Sequence, residues 1–129
     1  VSSRTITIPP EVAFSVRVAL HNQLGLAAEE LADRCQTAAE RPRSFYEDAF
    51  ACLDSSRALL EQLGYETPIQ PTEIEITPAE HRWMLLKALR EQHRAEVELL
   101  DEMNQPDRDV AAQRTQSLQQ LIDAASWDM

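Results

Sequence analysis

The chain has 129 residues and carries 22 Asp and Glu against 12 Lys and Arg, a net charge of -10 that both halves share without a basic patch in either. Such a field repels phosphate backbones and anionic lipid, which excludes direct nucleic-acid and membrane-surface binding from the expected functions. Only two glycines, with Ala, Leu, Glu, Gln and Arg dominant, predict an all-α, mainly helical class with little sheet and one domain over 1–129.

No apolar run approaches the roughly 20 residues that span a bilayer, and no apolar segment follows a basic N-terminus, so a cytoplasmic location is expected. Lys87 is the only lysine. The eleven arginines therefore read as a compositional bias rather than as eleven binding residues. Cys35 and Cys52 are too few for a disulfide framework and wrongly spaced for a metal knuckle, and are expected to be reduced thiols.

In chain order, "RTITI" (Arg4–Ile8) alternates β-branched residues and predicts a strand closed by Pro9 and Pro10. A helix over about 10–40 follows, with Ala13, Val16, Leu20, Leu24, Ala27, Leu31, Cys35 and Ala38 at helical spacing through Gly25. A second stripe, Phe14, Val18, Ala28, Ala32 and Ala39, lies on another side. This helix should therefore be covered twice, as the central helix or at a dimer interface.

Pro42 breaks the pattern, and Ser44 with Glu47 forms a capping pair that opens a second helix. Its predicted face is Tyr46, Ala49, Phe50, Leu53, Arg57, Leu60 and Leu63, with Gly64 as the left-handed stop. Pro68 and Pro71 stiffen a linker over 65–72. Then come a strand at Glu73–Thr77 and the helix start "TPAE", with Thr77 as cap, Pro78 in the first position and Glu80 reaching back.

The third helix, about 78–103, places Ala79, Trp83, Leu86, Leu89, His93, Val97 and Leu100 on one face. The fourth, about 107–125, offers Val110, Ala111, Leu118, Leu121, Ile122 and Ala125, with Arg114 and Thr115 diluting the stripe. The order strand, long helix, short helix occurs twice at an offset of about 69, where Pro9 meets Pro78, Ala19 meets Ala88 and Leu20 meets Leu89. This predicts an internal repeat with halves 4–64 and 73–125, folded as a four-helix bundle of two hairpins beside a two-stranded ribbon.

The chemistry is sparse. A di-iron bundle needs Glu three residues before His, but Val18, Pro78 and Arg90 stand three before His21, His81 and His93. His93 falls mid-face and reads as a core histidine with Glu96 as partner, whereas His21 and His81 read as solvent-facing. The acids around "DEMNQPDRD" lack the glycine and closing glutamate of a calcium loop. No strained loop presents a nucleophile, and two isolated glycines make no phosphate cradle.

The expectation is a non-enzyme with no metal or cofactor. Three functions are ranked. The first is a non-catalytic interaction protein that self-associates as a homodimer through Phe14, Val18, Ala28 and Ala32. The second is an acidic decoy for a basic, nucleic-acid-binding protein, with Glu29, Glu30, Asp33 and Glu40 on one hairpin and Glu96, Glu98, Asp101 and Glu102 on the other. The third is an enzyme or small-ligand binder with a pocket around Trp83, Arg90 and His93.

Overall fold

The computed structural model of the chain describes residues 3–37, 47–64, 66, 68–77 and 80–127, apart from the side chains of 30–37, 47–49 and 80. The described residues are mainly helical, with four helices and a small two-stranded antiparallel sheet. The order is β1 (Arg4–Ile8), α1 (Pro10–Thr37), α2 (Glu47–Leu63), β2 (Thr72–Ile76), α3 (Glu80–Leu100) and α4 (Asp107–Ala125). No helix among the described residues is long and apolar enough to cross a membrane.

β1 and β2 pair within the chain, Arg4 opposite Ile76, Ile6 opposite Ile74 and Ile8 opposite Thr72. Alternation puts Ile6, Ile8, Ile74 and Ile76 on one face, and all four are buried. Each contributes about 1.5–3 kcal/mol by leaving water, which a two-stranded ribbon needs because it is marginal alone. The outer edge of β2 is covered by a side chain of α2. Glu75 donates its N–H to Gln62 Oε1 at 2.7 Å, and Gln62 Nε2 donates to the Glu75 carbonyl at 3.0 Å.

α1 runs through Gly25 without a break, as its apolar phase predicts, and buries Val12, Ala13, Val16, Ala19, Leu20 and Ala27. It packs on α2 and α3 and touches α4. α2 ends at Gly64, whose φ of 77° and N–H bond to the Leu60 carbonyl at 3.1 Å make the predicted left-handed stop. α3 pairs with α4 and also touches α2. After Leu100 the chain tightens, with Glu102 and Met103 N–H bonding back to Leu99 and Leu100, so α3 ends earlier than its pattern suggests.

Two helical faces differ in phase from the sequence reading. On α3 the buried residues are Met84, Leu85, Leu86, Ala88, Leu89 and Glu96, while Trp83 and Val97 are exposed. The predicted stripe is centred about a quarter turn away, because the run Met84-Leu85-Leu86 buries an arc wider than one stripe. On α2 the seam is Cys52, Ser55, Ser56, Leu59 and Leu63, with Phe50 and Arg57 exposed. Two serines in a seam carry no hydropathy signal.

On α4 Val110 is exposed and Thr115 is buried, its hydroxyl donating to the Ala112 carbonyl at 2.7 Å. The capping roles read for Ser44, Pro78 and Glu80 fall on residues or side chains outside those described, as do Leu31, Ala32, Cys35, Ala38 and Ala39, while Thr77 is described and exposed.

Arginine is more specific here than a compositional reading allows. Trp127 packs against the core between two guanidinium groups, Arg4 at 4.9 Å and Arg82 at 4.4 Å from the ring centroid. Arg82 also donates to the Trp127 carbonyl. These contacts tie the end of α4 to β1 and to the first turn of α3.

Candidate functional site

The seam of α3 carries Leu85, Leu89, Gln92 and Glu96 at spacings of four, three and four residues, which stack them on one side of the helix. The first two are fully buried aliphatic residues. At the fourth position, where an apolar side chain would continue the seam, the sequence places a carboxylate, and Glu96 is 9% exposed. A buried carboxylate is costly unless its oxygens are hydrogen-bonded and its charge is paired.

The charge is paired and the hydrogen bonding is half met. Glu96 Oε1 accepts from Arg114 Nε of α4 at 2.9 Å and from Ser15 Oγ of α1 at 3.2 Å. Its other oxygen, Oε2, is buried with no hydrogen-bond partner among the described residues. Three helices thus converge on one carboxylate and satisfy one side of it. Glu96 is therefore not the partner of His93 that helical spacing suggests.

Glu96 forms part of the wall of a cavity of about 220 Å³ at this corner of α1, α3 and α4, together with Glu11, Phe14, Ser15, Val18, Gln92 and Arg114. Two carboxylates and one guanidinium leave the wall with a surplus negative charge. Phe14 is 63% exposed, Glu11 is exposed and Val18 half-buried, so the rim combines apolar side chains with a carboxylate.

A second, larger cavity of about 540 Å³ lies between α1 and α3, lined among others by His21, Asn22, Gln23, Glu91, Gln92 and Arg94. Its buried side chain, Gln23, donates to Glu91 Oε2.

Of the interface residues read from the sequence, Phe14 and Val18 meet at the corner cavity, Ala28 is exposed further along α1, and the side chain of Ala32 lies outside the description. Trp83 and Arg90 are exposed and His93 is half-buried, and none of the three lines either cavity. Trp83 instead lies 5.3 Å from Lys87 Nζ. His21 is exposed, as expected, but His81 is half-buried.

The pairs Ser15–Glu96 and Gln23–Glu91 run in opposite numerical order, so α1 and α3 are antiparallel. Glu29 consequently stands at the opposite end of this pair from Glu98, Asp101 and Glu102.

Ser15, Glu96 and Arg114 were missed as a site because each is polar at a position read as solvent or as a diluted stripe. The available signal was Glu96 in phase with Leu85 and Leu89. No cluster of three or more His, Cys, Asp or Glu able to hold a metal exists among the described residues. No family model, curated protein or solved structure matches the chain.

Proposed function

We propose that this chain is a non-catalytic helical interaction protein that self-associates through the face of α1 bearing Phe14 and Val18. The observation that carries this reading is the 63% exposure of Phe14, a large aromatic side chain left in water on a helix whose opposite side is fully covered. Val110 of α4, one turn before Arg114, is 64% exposed and extends the apolar character of the same corner. A ring of this kind contributes roughly 150–250 Å² of contact, a fair start on the roughly 800 Å² per subunit of a stable interface.

The architecture belonging to this reading is a four-helix bundle of two like hairpins, halves 4–64 and 73–125. Three observations support it. The ribbon pairs Ile6 with Ile74 at its centre, both strands bury their third and fifth residues at an offset of 68, and the larger cavity takes Ala19 with Ala88, Gln23 with Gln92 and Leu26 with Ala95, three pairs at an offset of 69.

The decoy reading has less support, since Glu29 stands at the opposite end of the α1–α3 pair from Glu98, Asp101 and Glu102. Light scattering on wild type and Phe14→Glu tests self-association. A wild-type dimer that becomes monomeric on substitution is expected, whereas a wild type monomeric up to its solubility limit overturns the reading.

A further inference from the structure

We propose that the outer face of α3 is a docking surface for an acidic helical segment of another protein, held by Lys87, Arg90 and Arg94 and anchored on Trp83.

Trp83, Lys87, Arg90, Arg94 and Val97 follow one another at spacings of four, three, four and three residues, which aligns them in one stripe along the helix. All five are exposed, Trp83 by 53% and Val97 by 41%. At 1.5 Å per residue the stripe is about 21 Å long, the length of a helix of about four turns.

Its charge is the reverse of the chain's. Neither half of the sequence has a basic patch by composition, and helical spacing builds one here. On a molecule of net charge -10 a cation is most stable beside a carboxylate. Other arginines are already engaged: Arg114 with Glu96, Arg108 with Asp101 at 3.9 Å, and Arg4 and Arg82 around Trp127. Among the described residues, Arg90 and Arg94 have no carboxylate within ion-pair distance, and Lys87 has only the Trp83 ring, 5.3 Å from its Nζ. Glu98, one turn beyond Arg94, stands at the border of the stripe and makes no ion pair with it. A solvated helix face ordinarily interleaves opposite charges at this spacing. Here three cations succeed one another, with an indole at one end and Val97 at the other.

Each component selects a property of the occupant. The cations in line attract carboxylates repeated at matching helical intervals. Trp83, with more than half its surface in water, offers an apolar platform for a leucine or a similar residue. Trp and Arg are also the side chains most enriched where binding energy concentrates. Nucleic acid answers to the same cations, but it has to approach through a field of -10, and three phosphate contacts release too few counterions to hold it.

The stripe is separate from the Phe14 face. Arg94 lies two residues before Glu96, a rotation of about 200°, so the stripe and the corner occupy nearly opposite sides of α3. Neither proposal needs the other.

The test is a titration of the ¹⁵N-labelled full chain with an acetylated and amidated peptide of two Glu-Glu-Leu-Ala-Glu-Glu-Leu repeats. The comparison is the same peptide with Gln in place of every Glu. Saturable shifts at the Trp83 indole N–H and at the Lys87, Arg90 and Arg94 amides are expected, with the Trp127 indole as an unshifted reference. The Gln peptide should bind about tenfold more weakly, the combined effect of three exposed charge pairs. Rising salt should narrow that gap.

The triple variant Lys87→Gln, Arg90→Gln, Arg94→Gln, at three exposed positions, should reproduce the about tenfold loss for the Glu peptide while leaving the thermal midpoint close to wild type. Trp83→Ala should weaken binding by about tenfold as well. Equal binding of the two peptides, saturation centred away from the stripe, or full affinity in the folded triple variant overturns the proposal. If that variant does not fold, the two-peptide comparison on wild type decides.

Two other occupants are read from the same samples. A short DNA duplex that binds the stripe more tightly than the Glu peptide overturns the assignment in favour of nucleic acid. Shifts at Trp83 that appear on concentrating wild type alone, and vanish in the triple variant, overturn it in favour of a second copy of this chain.

Discussion

The ribbon side of the core and the corner around Glu96 are built by opposite strategies. Beside the ribbon, Ile6, Ile8, Ile74 and Ile76 join the aliphatic residues of the helices in one cluster, interrupted on α2 by the buried hydroxyls of Ser55 and Ser56. At the corner, α1, α3 and α4 meet through a hydroxyl, a carboxylate and a guanidinium, and one carboxylate oxygen goes without a partner. The first arrangement supplies stability without direction. The second fixes three helices at one point.

That contrast breaks most sharply at Leu89. It is fully buried in the cluster, and Leu89→Ala should lower the unfolding free energy by about 2–5 kcal/mol, read by urea denaturation. A loss within the range of an exposed substitution would mean that the aliphatic side of α3 is not the core.

The corner is sharpened by a paired substitution. Glu96→Leu leaves Arg114 Nε and Ser15 Oγ without their acceptor and should cost about 1–3 kcal/mol. The double variant Glu96→Leu, Arg114→Met removes donor and acceptor together, and should recover most of that loss in the same denaturation assay, since apolar pairs of like volume replace buried ion pairs at little cost. A double variant no more stable than the single would show that the ion pair itself, rather than polar satisfaction, stabilises the corner.

The smallest effect concerns Gly25, a helical glycine in the wall of the larger cavity. A Cβ built there meets nothing within 4 Å, so Gly25→Ala should raise stability by about 0.5–1 kcal/mol through the unfolded chain alone. A thermal scan showing a fall instead would indicate a close approach at this point of α1.

Element order, the passage of α1 through Gly25 and the stop at Gly64 were legible because each rests on local physics: period, propensity and the left-handed backbone that glycine favours. Which side of a helix faces inward was less so. On α2 the seam runs through Ser55 and Ser56, whose small side chains can be buried without advertising it. On α3 three consecutive apolar residues blur the phase that a single stripe would give. Trp83 was drawn inward by its hydropathy, yet more than half of it remains exposed beside Lys87.

The candidate site was legible only in part. Phe14 and Val18 stood out as a surplus apolar stripe on α1. Glu96 and Arg114 did not, because a burial that depends on partners 81 and 18 residues distant, Ser15 and Arg114, has no local signature. A carboxylate in register with core leucines is the only hint a single chain carries of such a junction.

The amide of Gln62 has a further implication. By offering a carbonyl and an amino group to the backbone of Glu75, it imitates at one residue the neighbour that a third strand would be. One glutamine thus occupies the β2 edge at Glu75, where a further strand would otherwise pair.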